Sequence, residues 1–193
     1  MRIVSVPRIK QFLELTGSEQ DPLLILLTEY YSRRIETFLR RKLEKLERTQ
    51  IYNGGKRIYA LSAYPVATTP APVVVVNGTT ETEDSDYYVW YDRGVIEFSY
   101  APSTTWPKAV EITWTGGFAE INDSTIDDGA LDVPDDFRLA CMMQVAFVFR
   151  RKRDLGITAI TMPDGSISTQ YAGNLLPEVE SILKSHRNMV SYG

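Results

Sequence analysis

The chain has 193 residues, of which 44% are hydrophobic and 24% are charged, and it contains one cysteine, Cys141, and one histidine, His186. This length suits one solid core, and the net charge of -4 argues against general nucleic-acid binding, which needs a basic surface. One cysteine and one histidine exclude an internal disulfide, a Cys/His metal cluster within one chain and most nucleophile–base pairs. We therefore expect no enzyme activity, no cofactor and no bound metal.

The apolar segments are too short to span a membrane. A spanning helix needs roughly 20 apolar residues, whereas the longest stretch here, Leu139 to Phe149, is shorter and is interrupted by Gln144. Cys141 lies within this stretch, where a free cysteine behaves as a small hydrophobe. The first residues lead into an amphipathic segment without a signal-peptide core, so we expect a protein made in a reducing cytoplasm.

Two helices are predicted at the start of the chain. Ser5-Val6-Pro7 is typical of a helix start, and Gly17 is typical of a helix end. Asp21 and Pro22 then open a second helix, which is predicted to run to about Lys45 and to be on the order of 36 Å long. Its apolar stripe is wide enough to pack on more than one neighbour. The stripe comprises Leu24, Leu27, Tyr31, Ile35 and Phe38, widened by Leu23, Leu26 and Tyr30.

The segment from residue 46 to residue 118 alternates β-branched and aromatic residues between turn residues, which is typical of strands. Asn53-Gly54-Gly55-Lys56 predicts a hairpin between the strands that flank it, because these residues tolerate positive φ. Asp92-Arg93-Gly94 predicts a second hairpin, between strands at residues 87–90 and 95–98. We expect a small antiparallel sheet or a sandwich.

The second hairpin concentrates aromatic side chains. Alternation places Tyr88 and Trp90 on one face of the strand, and Tyr87, Val89 and Tyr91 on the other. One face is expected to pack in the core. The other face would present aromatic groups, which are enriched at protein–protein hot spots, so core packing and a protein interface both stay open for it.

The last third of the chain is predicted to be mainly helical. Residues 119–132 carry five acidic and no basic residues, which indicates a solvated loop that stays free, holds a cation or docks a basic partner. Pro134 opens an almost entirely apolar helix that should be the buried centre of a helical core. Pro163-Asp164-Gly165 indicates a hairpin or a mobile loop. Pro177 opens a last helix, whose apolar face carries Val179, Ile182 and Leu183.

These elements predict an α+β fold, a small helical bundle of about four helices with an antiparallel β-rich insertion after the long second helix. Residues 1–46 and 130–193 form the helical core, residues 47–118 form the insertion, and residues 119–132 form the acidic loop. We expect one compact domain overall, since no internal repeat or low-complexity tract divides the chain.

The basic run Arg150-Arg151-Lys152-Arg153 has three interpretations. Cations at the end of a helix complement its dipole, as Asp135 and Asp136 do at the start of the same helix. Alternatively, the run belongs to a protein interface, or it contacts DNA phosphates. The mixed-charge run from Arg33 to Arg48 is similarly either a solvated face or a charged contact between subunits.

Several short motifs follow one another in a specific order. A charged helix end at residues 35–43 precedes Leu61-Ser62-Ala63-Tyr64-Pro65-Val66, and a later strand closes on Trp114-Thr115-Gly116-Gly117-Phe118. Val133-Pro134 opens the apolar helix, and Leu176-Pro177 opens the last one. In this order the motifs resemble the head–tail connector (adaptor) proteins of tailed bacteriophages.

The resemblance implies a structural virion assembly protein that binds the portal as a ring after DNA packaging. Such a protein extends the DNA channel and provides the docking surface for neck or tail proteins. It would be made in the cytoplasm of a bacterial host and reside at the head–tail joint of the virion. The ring would form in solution or only on the portal, and the portal contact carries over to about residues 175–193.

Candidate protein-interface residues combine the charged helix end, the basic run and the last helix. They are Arg33, Arg40, Arg41, Arg150, Arg151, Lys152, Arg153, Leu176, Ile182, Leu183 and Arg187. The basic run is also the candidate DNA-channel site, because DNA passes through the lumen of such a ring. Two other functions stay open: a head-closure (stopper) or tail-completion protein, and, from another class, a DNA-binding regulatory protein.

Overall fold

The computed structural model describes residues 2–103, 108–118, 133–152, 159–162, 165–168 and 174–187. The described helices are α1 (Val6–Leu13), α2 (Asp21–Leu39), α3 (Asp135–Arg150) and α4 (Pro177–Lys184). The described strands are β1 (Leu46–Tyr52), β2 (Ile58–Ala60), β3 (Val73–Val76), β4 (Thr79–Thr80), β5 (Tyr87–Trp90), β6 (Val95–Phe98), β7 (Val110–Gly116), β8 (Ala159–Met162) and β9 (Gly165–Ser168). The chain divides into a helical unit, Met1–Leu39 with Ile121–His186, and a β unit, Arg40–Glu120 with Arg187–Gly193.

The centre of the helical unit is α3, which packs against α1, α2 and α4. Asp135 and Asp136 in its first turn and Arg150 in its last turn complement the helix dipole. Its buried side chains are Phe137, Ala140, Cys141, Gln144, Val145, Ala146, Val148 and Phe149. The predicted buried centre of the helical core is thereby confirmed. The same unit contains the antiparallel pair β8–β9, the first of the two alternatives predicted for this part of the chain.

Helix α2 is shorter than predicted. It ends at Leu39, because Arg40 takes the left-handed conformation that terminates many helices, with φ of 55°. Its 19 residues span about 28 Å. Leu43 continues the helical spacing from Leu39 and is fully buried, but it lies in the β unit. The apolar period therefore extends past the point where the backbone leaves the helix.

The β unit is a sandwich of two antiparallel sheets. One sheet has the strand order β1-β7-β3-β4, and the other has the order β2-β6-β5. Their inward side chains share one apolar cluster, to which both sheets contribute. Trp114 on β7 is almost fully buried in this cluster, and its indole Nε1 donates a hydrogen bond of 3.0 Å to the carbonyl of Ala63.

One predicted hairpin is confirmed and the other is wrong. Strands β5 and β6 pair with Tyr87 opposite Phe98, as the second turn signal predicts. By contrast, β1 pairs with β7 while β2 pairs with β6, so the Asn53-Gly54-Gly55-Lys56 segment connects two different sheets. The hydroxyl of Tyr59 on β2 donates to the Asn53 carbonyl at 3.1 Å, and this hydrogen bond stabilises the connection between the two sheets.

The predicted helical bundle with a single β insertion is wrong, although the α+β class holds. Seven strands build two antiparallel sheets, so the described residues form a β-rich α+β protein and not a helical bundle with one inserted sheet. The physical reason is that the β unit buries an apolar cluster of its own, from Tyr52 on β1 to Trp114 on β7. Two sheets that bury a core between them form a complete structural layer, which a single inserted sheet does not.

Candidate protein-interaction site

The single cysteine and the single histidine both make packing and hydrogen-bond contacts within the helical unit. Cys141 is fully buried, and burial raises the pKa of its thiol to about 12 despite a hydrogen bond with Ser32. Its reactive thiolate is therefore scarce at neutral pH. His186 Nε2 lies 2.8 Å from Asp136 Oδ2, and its ring packs edge-on against Phe137 with 5.0 Å between ring centres. These contacts tie the end of α4 to the start of α3.

The described part of the chain contains neither a cluster of metal-ligating side chains nor a membrane-spanning helix. Within it, no three His, Cys, Asp or Glu side chains gather as a metal site requires. No helix among the described residues is long and apolar enough to cross a bilayer. The acidic loop at residues 119–132, which was a candidate for cation binding or docking, lies outside the described residues.

The basic run at the end of α3 is distributed over different surroundings. Arg150 is exposed in the last helical turn. The charged groups of Arg151 and Lys152, which follow α3, lie over aromatic rings of that helix, at 5.1 Å and 4.5 Å from the ring centres. Lys152 Nζ also donates to Gln20 Oε1 at 3.0 Å. Arg153 lies outside the described residues. Of the three cations of the run that are described, Arg151 and Lys152 therefore have contacts within the chain, and Arg150 is exposed.

The charged end of α2 divides between surface and interior. Arg33 and Arg40 are exposed, whereas Arg41 is partly buried in the β unit. The guanidinium of Arg41 lies 3.9 Å from the centre of the Tyr64 ring and 5.2 Å from the centre of the Phe118 ring. Cation–π contacts of this kind contribute about 0.5–2 kcal/mol. Arg41 therefore stabilises its own unit.

Three of the motifs behind the resemblance meet around Arg41. The Phe118 N–H donates to the Leu43 carbonyl at 2.6 Å, which joins the end of β7 to the segment after α2. Gly117 has φ of 108°, and a Cβ there would lie 2.5 Å from the Glu44 carbonyl oxygen, so the position requires glycine. The order of these motifs therefore reflects a structural junction of the β unit.

The predicted interface residues of the last helix are partly accessible. Leu183 is fully buried and packs the helical core, so it drops out of the candidate interface. Leu176, Ile182 and Arg187 are each partly exposed. The backbone N–H of Leu176 donates to Oε1 of Gln144 at 2.8 Å, and Gln144 is fully buried. This polar residue inside the apolar helix α3 thus fixes the start of α4.

The outer face of the three-stranded sheet exposes a cluster of large apolar side chains. Paired residues share a face, so Ile58, Glu97 and Tyr88 form one row across β2, β6 and β5. Ile58 is 56% exposed, Tyr88 52% and Trp90 39%. The Tyr88 and Trp90 rings pack edge-to-face at 5.3 Å, and Trp90 Nε1 donates to Glu97 Oε2 at 3.2 Å. These four residues are the aromatic face.

Part of the aromatic face was predictable from the sequence. Alternation correctly placed Tyr88 and Trp90 together and opposite the buried Tyr87. Ile58 and Glu97 were missed, since only strand register brings them beside the aromatic pair. The predicted hairpin of β5 and β6 is sufficient to place Glu97 opposite Tyr88. Ile58 was missed because the Asn53–Lys56 segment was predicted to pair β2 with β1, whereas β2 pairs with β6.

An open pocket of about 230 Å³ lies beside the aromatic face. Among the described residues, its charged lining consists of Arg57, Asp84 and Glu97, whose charges sum to minus one. Tyr88 contributes an aromatic wall. Carboxylates next to an aromatic ring suit a guanidinium or an ammonium group, because both ion pairing and cation–π attraction are available.

Two tyrosines near this region bind carboxylates within the β unit. The Tyr91 hydroxyl donates to Glu83 Oε1 at 2.7 Å, and burial together with this carboxylate raises the pKa of Tyr91 to about 12. Burial and a hydrogen bond with Glu81 likewise raise the pKa of Tyr100 to about 12. Glu81 and Glu83 therefore have partners within the chain.

Comparison with known proteins gives one family. Residues 2–189 match the family model described as head completion protein. No curated protein sequence matches the chain significantly.

Solved structures of a gene transfer agent (GTA) particle contain chains with a similar fold. A chain from the neck of the empty GTA particle, computed with C6 symmetry, has a TM-score of 0.57 and 20% identity. A chain from the neck of the native GTA particle, computed with C12 symmetry, has a TM-score of 0.55 and 17% identity. A chain from the virion of the native GTA particle has a TM-score of 0.54 and 19% identity. Each comparison covers 100% of this chain and 97% of the other.

Proposed function

Because this chain belongs to the head completion protein family, we propose that it is a head–tail connector that binds the portal as a ring after DNA packaging. In this role it extends the DNA channel and gives neck or tail proteins their docking surface. The family match over residues 2–189 carries the proposal, and the likeness to chains from the neck of a GTA particle supports a structural role at the head–tail neck. The portal contact, the ring and the order of docking are the parts that we add.

The fold supports the same role. The similar chains come from the neck and the virion of a GTA particle, and the two neck structures were computed with C6 and C12 symmetry. Rotational symmetry in a ring requires heterologous contacts, in which two different patches of each copy meet. This chain exposes apolar side chains on both of its units, such as Leu26 on α2 and Tyr88 on β5. Such surfaces are typical of proteins that function in assemblies.

The portal contact is proposed for the last helix and the cations that stay accessible. Leu176, Ile182 and Arg187 are partly exposed on or beside α4, and Arg150 is exposed at the end of α3. Accessible arginines are suited to acidic partner surfaces, where opposite charges set register and speed association. Arg151 is less suited to the portal contact, because its guanidinium lies over the Phe147 ring of α3.

The proposal is tested by reconstitution with particles from a strain that lacks this gene. Purified chain is added to DNA-filled heads, the heads are re-isolated by sedimentation, and complete tails are then added. We expect the chain to sediment with packaged heads and to restore tail attachment. Heads assembled without the portal are the control, and binding to them equal to that of packaged heads would contradict the portal contact.

The same reconstitution separates the connector from a head-closure protein. A connector binds packaged heads directly. A stopper binds only after another neck protein has been supplied. Failure to bind in either order would overturn the proposal of a portal-proximal ring.

A further inference from the structure

The helical unit exposes an apolar surface of its own. Leu26, Tyr30 and Arg33 lie four and three residues apart, and therefore on one face of α2. Leu26 is 63% exposed and Tyr30 is 52% exposed, and Arg33 is exposed as well. We name these three residues the α2 stripe. Buried residues such as Leu24 and Tyr31 lie elsewhere around the helix and pack the core, so α2 carries apolar surface for a second neighbour.

We propose that the α2 stripe of one copy docks on the aromatic face of the next copy. The inference rests on the proposed function, because the ring at the neck supplies the second copy. It adds the two surfaces that form the contact between subunits.

The apolar parts of the two surfaces match in kind. Leu26 and Tyr30 on one copy would cover Ile58, Tyr88 and Trp90 on the next. Single exposed apolar residues are ordinary, but groups of them mark interaction sites, and tyrosine and tryptophan are enriched among residues that dominate binding. The Tyr88–Trp90 pair is already packed edge-to-face, so little side-chain freedom remains to be lost on docking.

The charges of the two surfaces are opposite at one point. Arg33 ends the α2 stripe. The described lining of the pocket beside the aromatic face carries the carboxylates of Asp84 and Glu97 and the cation of Arg57. A guanidinium placed there would pair with a carboxylate and stack on Tyr88. The same carboxylates repel phosphate groups, so a protein surface fits this site better than nucleic acid.

The contact joins two different patches of the same chain, which makes it heterologous. Heterologous contacts close into rings when the rotation per subunit permits, whereas isologous contacts stop at a dimer. A ring with these surfaces leaves no copy with an unoccupied aromatic face.

The partner is identified by cross-linking within purified particles. The variant Leu26→Cys/Ile58→Cys replaces one exposed residue of each surface, and the native Cys141 is fully buried. Treatment with a short bismaleimide should give a ladder of covalent multimers of this chain on a denaturing gel. The matched control Leu26→Cys/Thr80→Cys, in which Thr80 is exposed on β4 of the other sheet, should give no ladder. Incorporation of the first variant without a ladder, or equal ladders in both, overturns the proposal.

A charge exchange provides a second test that needs no cross-linker. Arg33→Glu and Glu97→Arg should each reduce the yield of infectious particles at least tenfold, and the double variant should recover most of the loss. Circular dichroism of the purified chains checks that the single variants are folded. Equal loss in the double and the single variants, or no loss in either single variant, contradicts the proposed contact.

These outcomes are distinct from failure of the proposed function. If deletion of the gene leaves heads and tails unjoined while the charge variants assemble normally, the connector role stands and the α2–aromatic contact is wrong. If deletion has no effect on particles, the connector role itself is wrong.

Discussion

The guanidinium of Arg41 lies 3.9 Å from the centre of the Tyr64 ring, and this contact joins the segment after α2 to the segment that follows β2. The sequence places Arg41 among a run of cations and so favours a surface role for it. In the fold, it is held between aromatic groups of the β unit. Charge alone therefore does not identify which cations of this chain are available to partners.

Substitution of Arg41 should destabilise the β unit. We expect Arg41→Ala to lower the free energy of unfolding by about 1–2 kcal/mol, because it removes the contacts with Tyr64 and Phe118. Arg41→Lys should lose less, since it keeps the charge, and Arg33→Ala should stay within about 0.5 kcal/mol of the unmodified chain. Denaturant unfolding followed by tryptophan fluorescence measures all three. An Arg41→Ala chain as stable as the Arg33→Ala chain would show that Arg41 is only a surface residue.

Gln144 should control how firmly α4 is held. Its side chain accepts a hydrogen bond from the Leu176 N–H at 2.8 Å, and its amide lies 3.4 Å from the Asn174 carbonyl. Gln144→Leu roughly keeps the size but leaves the part-buried N–H of Leu176 without its acceptor, which costs about 1 kcal/mol. We expect faster hydrogen exchange throughout α4, measured by mass spectrometry.

The control for this experiment is Gln20→Ala, which removes the hydrogen bond of Lys152 to the residue immediately before α2. It should leave exchange in α4 unchanged. Equal protection of α4 in the Gln144→Leu chain and the unmodified chain would show that Gln144 does not hold α4 in place.

Ionisation of Tyr91 should lower the free energy of unfolding at alkaline pH. Its pKa is raised from 10.0 to about 12 in the folded chain, chiefly by burial and then by Glu83. The folded state thus holds this proton more tightly than the unfolded state, so the stabilisation is complete below about pH 10 and is lost as the pH rises through 12. We expect Tyr91→Phe to flatten the fall of stability between pH 10 and 12.

Denaturant unfolding across this pH range, with Tyr88→Phe as an exposed control, measures the effect. The Tyr88→Phe chain should follow the unmodified chain. A Tyr91→Phe chain that loses stability as steeply as the control would contradict the assignment.

DNA binding by the isolated chain should be weak. The net charge is -4, and the charged groups of Arg151 and Lys152 lie over rings of α3. We expect affinity for duplex DNA no tighter than the roughly 10⁻⁴–10⁻⁶ M of non-specific binding, and little change on Arg150→Ala. Fluorescence anisotropy at two salt concentrations tests this. Nanomolar binding with a steep salt dependence, lost in the Arg150→Ala chain, would support the DNA-binding regulator instead.

Local signals predicted local structure well in this chain. Proline and acidic residues marked the start of α3, and period-two alternation separated Tyr88 from the buried Tyr87. Both signals depend on neighbours a few residues away, and long-range packing did not override them.

Long-range pairing is where prediction from the sequence failed. Leu43 kept the helical spacing of α2 although it packs in the β unit, since burial in a different layer produces the same apolar signal. The glycine turn after β1 looked like a hairpin, but β1 and β2 pair with β7 and β6 instead. The aromatic face depends on that pairing, so Ile58 was not recognisable as a member of it.

The measurement that tests the central claim most directly is to disrupt this gene in its source phage or prophage and to image the induced particles by electron microscopy. A connector at the head–tail neck predicts DNA-filled or leaking heads together with free, complete tails. Restoration of joined particles by the gene in trans would tie the defect to this chain. Normal infectious particles in the absence of the gene would contradict the account.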